Sequence, residues 1–183
     1  MSSDLIFHDF FQEIISIIED SKKRVALSIN SEMSFLYWKV GKKIIDDVLN
    51  NKRAEYGETI IKSLSIKLVE SYGSSFSEKN LRKMIQFAQI FDNEQMVVSL
   101  IRQLSWTHIL AIIPIQDPLK RDFYIEVCKL EGWSVRTLRD RINSMLFERT
   151  AISKKPEETI KQDIELLKNE QKLTPDMVFR DPY

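Results

Sequence analysis

The stretch Asp4–Asn50, DLIFHDFFQEIISIIEDSKKRVALSINSEMSFLYWKVGKKIIDDVLN, decides how this chain folds. Its apolar side chains at Phe7, Phe11, Ile14, Ile18, Val25, Ile29, Met33, Leu36, Val40, Ile44 and Val48 are spaced by three, four or seven residues, the period of one helical face. No proline interrupts the stretch and its one glycine is Gly41. The spacing predicts one long helix, or two nearly collinear ones with a weak point near Asp20 and Ser21. A helix of this length cannot bury its whole stripe against a small domain. The stripe needs a cover, either another helix of the same chain or, the preferred reading, a second copy in a homodimer.

Beyond the polar run Asn50–Glu55, Ile60, Ile61, Leu64, Leu68 and Val69 predict a second helix that stops before Gly73 in a left-handed C-cap. Ser77 then precedes a stripe of Leu81, Met84, Ile85, Ala88 and Phe91, the pattern of an N-capped helix. Two helices joined by a short turn with a glycine resemble a helix-turn-helix. Further helices are expected over Glu94–Ile101, from Trp106 to Ile113 before Pro114, and from Pro118 to about Leu130, started by Asp117-Pro118 and closed at Gly132. Ser134 caps a last one, Val135–Glu148, with Val135, Leu138, Ile142 and Met145 facing inward. The fold class is all-α. The expected organisation is a dimerisation segment at 1–52, a helix-turn-helix-like domain at 53–150, and a charged linker or helix at 151–183.

Composition narrows the function classes. Low glycine (4) and proline (5) content in 183 residues argues against short strands joined by tight turns. Twenty-seven basic residues offset 27 acidic ones, so nucleic-acid contact has to come from local charge placement. One cysteine, Cys128, cannot form an internal disulfide or a multi-cysteine zinc site, which fits a reducing, cytoplasmic setting. The start of the chain lacks a signal-peptide pattern. The longest run without Asp, Glu, Lys or Arg, Gln103–Gln116, has 14 residues, short of the roughly 20 that a spanning helix needs, so no membrane partner is expected.

On the helix after Ser77, a rotation of about 100° per residue puts Lys79, Lys83, Gln86 and Ile90 opposite the apolar stripe, with Arg82 on the flank. Arg, Lys and Gln reach base edges in the major groove, and the first residues of a helix suit phosphates. The helix therefore reads as a recognition helix for double-stranded DNA, with Ser77, Lys79, Asn80, Arg82, Lys83 and Gln86 as contacts. The alternative is a solvated surface. Arg136 and Arg139 on the Ser134 helix are further candidates for phosphate, or members of a surface network with Asp140. His108 reads as a packing residue and Cys128 as a core thiol. No G-x-S-x-G elbow, P-loop or G-x-G-x-x-G occurs, and no cofactor or metal is expected. Glu170-Gln171-Lys172 with Asp163 matches an acidic-x-Lys nuclease fragment, but in a charged tail without strands to hold it.

Several strings are more specific: Arg53-Ala-Glu-Tyr-Gly57, Phe76-Ser-Glu-Lys-Asn-Leu-Arg-Lys-Met84, Leu104-Ser-Trp-Thr-His108, Asp117-Pro-Leu-Lys-Arg-Asp-Phe-Tyr124 and Trp133-Ser-Val-Arg-Thr-Leu-Arg139. Together they resemble the N-terminal domain of the YhcG family, whose members pair it with a C-terminal PD-(D/E)XK nuclease domain. The closing Val178-Phe-Arg-Asp-Pro-Tyr183 resembles the junction ahead of that domain. The resemblance implies a targeting domain that is not itself an enzyme, because the nuclease carboxylates and lysine have no counterparts here. From Leu64 to Ile142 the order of motifs is also similar, more distantly, to the helix-turn-helix core of ParB-type partition proteins, which implies DNA contact through the helix after Ser77. A helical protein-interaction module without DNA contact is the alternative function.

Overall fold

An uninterrupted α-helix of 43 residues, α1 (Ser2–Ile44), opens the chain and continues as a π-helical turn, Ile45–Leu49. The computed structural model describes residues 2–49, 54–153 and 165. The expected weak point at Asp20 and Ser21 stays helical, and a Glu19–Lys22 ion pair of 2.8 Å spans it. Among the described residues there are eight α-helices, α1 included, and no strand, so the fold is all-α. The chain divides into two compact units, Met1–Trp106 and Thr107–Tyr183.

In the first unit, α1 is joined by α2 (Ala54–Tyr72), α3 (Glu78–Ile90) and α4 (Glu94–Ile101). The buried face of α1 keeps only part of the stripe that apolar spacing picks out, with Ile44 buried and Val40 half-buried against the core. Met33 and Leu36 are exposed, while Ser34, Tyr37, Trp38, Gly41 and Ile44 are buried. The cause is backbone proximity. A Cβ built on Gly41 would lie 2.0 Å from the Met84 carbonyl oxygen, so α1 and α3 touch backbone to backbone there. Large side chains close the seam around this contact. Tyr37, Ile44, Ile61, Leu81, Met84 and Ile85 form one cluster, and the Tyr37 and Trp106 rings lie 4.9 Å apart. Trp38 Nε1 donates to the Phe91 carbonyl at 2.6 Å, and Ser31 Oγ donates to the Ile101 carbonyl at 2.9 Å, tying α1 to the end of α3 and to α4.

Gly73 ends α2 at φ 87° and ψ −179°. The positive φ is as expected, but the ψ belongs to an extended region that is essentially reserved for glycine, not to the left-handed C-cap. A 3₁₀ turn, Ser74–Phe76, leads into α3, and Ser65 Oγ donates to the Phe76 carbonyl at 3.2 Å, fixing that turn on α2.

The second unit begins one residue into α5 (Trp106–Ile112) and continues with α6 (Pro118–Glu131), α7 (Val135–Asn143) and α8 (Leu146–Ser153). The expected caps of α6 and α7 are present. Asp117 accepts from the Leu119 N–H at 2.9 Å, Gly132 is left-handed at φ 61°, and Ser134 Oγ accepts from the Thr137 N–H at 3.1 Å. The single helix expected over Val135–Glu148 is instead broken at Ser144 and Met145, where Met145 takes φ 56°. Tyr124 explains the break, because its buried hydroxyl donates to the Arg141 carbonyl and accepts from the Phe147 N–H, both at 3.2 Å. The break also reverses the expected inward placement of Met145 and brings in a residue outside the expected stripe. Met145 is exposed, and Phe147 turns inward to meet Phe123 edge-on at 5.4 Å.

Two substitutions test these constraints by thermal unfolding followed by circular dichroism. Gly41→Ala is expected to cost about 1–3 kcal/mol through forced separation of α1 and α3; an unchanged midpoint would contradict the close approach. Tyr124→Phe leaves the buried Phe147 amide without its acceptor, while the Arg141 carbonyl keeps Ser144 Oγ at 3.1 Å, and is expected to cost about 1–3 kcal/mol. A variant as stable as the parent would remove Tyr124 as the cause of the α7–α8 break.

Candidate nucleic-acid interface

The helix singled out by its charge, α3, is amphipathic for a simple reason. Leu81, Met84, Ile85 and Ala88 face α1 and α2 as the spacing predicts, joined by Phe87, which the spacing leaves out. The opposite side carries Lys79 and Arg82, both exposed, and Lys83 and Gln86, both half-buried. The backbone thus presents these four side chains within one helical stretch.

Local partners change what each can do. Arg82 is held by Glu78, one turn earlier, through hydrogen bonds of 2.9 and 3.2 Å, and Glu58 of α2 lies 3.7 Å away. The Glu78 hydrogen bond raises the Arg82 pKa further, so the guanidinium is charged at any working pH but offset by two carboxylates. Lys83 Nζ donates to Gln86 Oε1 at 3.2 Å, linking the two side chains expected to reach base edges. Asn80 is occupied differently from its expected role: its amide donates to the carbonyls of Ser74 and Ser75 at 3.4 and 3.2 Å, holding the turn ahead of α3. Ser77 occupies the N-cap position, but its side chain makes no capping hydrogen bond, contrary to the expectation from the Ser-x-x-x pattern. Its carbonyl starts the helix instead, accepting from the Leu81 N–H at 2.9 Å. The acidic neighbours were the missed part of this surface. Glu78 was legible as an i,i+4 partner of Arg82, whereas Glu58 reaches it only through the α2–α3 turn.

The other two candidates belong to the second unit. Arg136 and Arg139 are both exposed on α7, as is Asp140. Arg141, beside them, sits 6.0 Å from the Trp133 ring centre. His108 Nε2 lies 3.0 Å from the Trp133 carbonyl, so it packs locally, as its apolar surroundings predict. Cys128 is buried against the same carbonyl at 3.9 Å, and burial pushes its thiol up to about 11.

A hollow in this unit is lined by Ala111, Ile115, Ile142 and Phe147 together with a Lys120–Glu148 ion pair. Burial alone would raise the Glu148 carboxyl, but the Lys120 hydrogen bond and charge outweigh it and hold it below its ordinary range. Among the described residues no group of three or more His, Cys, Asp or Glu is placed to hold a metal ion, and no helix is long and apolar enough to cross a membrane. Asp163 and Glu170-Gln171-Lys172 lie outside the described residues.

Architecture and surface together define an all-α domain with a mixed basic and acidic face on α3. The chain belongs to the family described as DUF1016 N-terminal domain, which it matches over residues 13–149. It is 25% identical over 200 aligned residues to the protein of Escherichia coli (strain K12) named "Putative nuclease YhcG", an alignment covering 93% of this chain. The chain spans about half of that relative, 52% of its length, and corresponds to the N-terminal domain of the YhcG family. No solved structure matches, and the likeness to ParB-type proteins rests on motif spacing alone.

The burial of Cys128 is directly testable. With its pKa near 11 the thiol is protonated at pH 8, and reaction with an aromatic disulfide reagent is expected to be negligible until denaturant is added. Rapid labelling of the folded chain would contradict this placement.

Proposed function

We propose that this chain is the DNA-binding and dimerisation part of a YhcG-like nuclease, working in the cytoplasm to deliver a linked catalytic domain to double-stranded DNA. The observation that carries the reading is the face of α3, where Lys79, Lys83 and Gln86 stand opposite a fully packed stripe, one short turn after α2. In this reading Lys79 and the first amides of α3 meet phosphate, and Lys83 and Gln86 reach base edges. Ser77 borders the phosphate site and Asn80 supports it by fixing the turn. Arg82 contributes after exchanging a carboxylate for phosphate, while Arg136 and Arg139 add phosphate contacts from the second unit. Residues 1–52 dimerise the chain, 53–150 carry the DNA contacts, and 151–183 lead toward the nuclease. The chain itself is non-catalytic in this account.

Dimerisation is supported by the first part of α1. Every side chain from Phe7 to Asn30 is exposed, including Phe7, Phe11, Ile14, Ile18, Val25 and Ile29. An apolar face of this extent on a soluble domain calls for a partner, and a second copy supplies one.

A protein-interaction module is the second reading, favoured by the engagement of Arg82 with Glu58 and Glu78 and of Asn80 with the turn carbonyls. Fluorescence anisotropy with duplex DNA separates the two. Binding is expected to weaken steeply with salt, and Lys79→Glu with Lys83→Glu to reduce affinity at least tenfold and lower the salt slope by about two. Glu58→Gln with Glu78→Gln is expected to tighten binding severalfold by freeing Arg82. A stable dimer by light scattering that binds no duplex at low salt would favour the second reading, and a monomer at micromolar concentration would remove the dimer from both.

A further inference from the structure

The exposed part of α1 also carries a directional charge pattern. From Asp4 to Asp20 the sequence has five carboxylates and no Lys or Arg, and immediately afterwards come Lys22, Lys23 and Arg24. The described charged side chains of this stretch, Asp9 to Arg24, are exposed, so the acidic and basic segments occupy successive lengths of one free helix. Apolar bulk is graded along the same direction: Phe7 and Phe11 stack at 6.4 Å near the start, whereas Ser21 precedes the basic run and Val25, Ser28 and Ile29 follow it.

We infer that two copies pair through α1 in antiparallel orientation, with a two-fold axis near Ile18 and Glu19. The inference rests on the homodimer reading above and adds its geometry. A parallel pair would set acidic segment beside acidic segment, basic beside basic, phenylalanine beside phenylalanine and serine beside serine. An antiparallel pair about this axis sets Lys22, Lys23 and Arg24 level with positions 13–15 in the middle of the partner's acidic segment, while Glu19 and Asp20 of the two copies meet at the axis, and it brings Phe7 and Phe11 alongside the smaller Val25 and Ile29 of the partner subunit. The flanks agree. At 3.6 residues per turn Glu13 and Arg24 fall within about 20° of each other around the helix. Helices packed antiparallel set each flank against the same flank of the other copy, so Glu13 faces Arg24 of the partner subunit twice over. In a parallel pair the same flank meets the side bearing His8, Glu19, Lys22 and Lys23, whose lysines lie about 14 Å or more along the axis from Glu13.

The orientation bears on the nucleic-acid reading. Gly41 lies against Met84, which places α3 beside that point of α1. With a rise of 1.5 Å per residue the two copies of Gly41 would stand about 67 Å apart along the pair, close to two turns of duplex DNA.

Electron–electron double resonance on the whole chain tests the orientation. A nitroxide is attached at His8→Cys, the buried Cys128 being the chain's one native thiol. The antiparallel pair is expected to give a distance of about 30–35 Å, and a distance under about 20 Å would overturn it. In parallel, Arg24→Glu is expected to weaken the dimer about tenfold and the double variant Glu13→Arg, Arg24→Glu to restore it; failure of the double variant to recover would count against the pairing. Light scattering of the labelled chain separates the two layers of the argument: a monomer overturns the homodimer reading itself, whereas a dimer with the short distance overturns the orientation alone.

Discussion

The backbone contact between Gly41 and Met84 governs the first unit. At that point α1 approaches α3 so closely that no side chain fits between them, and the 2.0 Å that a Cβ would leave is far inside any real contact. Everything on the far side of α3 follows from it. With Leu81, Met84, Ile85 and Ala88 committed inward, the helix has one face left for Lys79, Arg82, Lys83 and Gln86. The same commitment selects which face of α1 is used below Ser31, and leaves the apolar side chains between Phe7 and Ile29 without cover among the described residues.

Charge then decides how that face can work. A chain with 27 acidic and 27 basic residues has no overall field to attract a polyanion. Its basic side chains act only where local carboxylates release them. Lys79 is exposed, whereas Arg82 is shared between Glu58 and Glu78, and Lys83 is linked to Gln86. Under the proposed function such a surface gives modest binding with a strong salt dependence. The same proposal gives a second copy a purpose, because two weak surfaces on one dimer would act at high effective concentration.

Much of the fold was legible in the residues. Asp117-Pro118, Gly132 and Ser134 marked their helix ends because capping chemistry is local, and the absence of Pro from Asp4 to Asn50 allowed one long helix but left a break near Asp20 and Ser21 open, which the Glu19–Lys22 span closes. Two features escaped because their causes lie outside the segment concerned. Apolar spacing weighs large side chains, so it chose Met33 and Leu36 and overlooked the small Ser34 and Gly41 that admit α3. The break after Asn143 depends on the hydroxyl of Tyr124, a residue on another helix, and no pattern within Val135–Glu148 announces it. The candidate interface was legible as a face of α3 for the same reason the caps were. Its acidic counterweight was only half legible, since Glu78 is one helical turn from Arg82 but Glu58 meets it through folding.

The central claim is that α3 meets nucleic acid directly, and amide hydrogen exchange with and without saturating duplex DNA tests it most directly. The account expects added protection in peptides spanning Ser77–Ile90, strongest at the first turn, with the segment around Phe7–Asn30 unchanged when the dimer is already formed. Saturated DNA binding with no change over Ser77–Ile90, and protection confined to other segments, would contradict it.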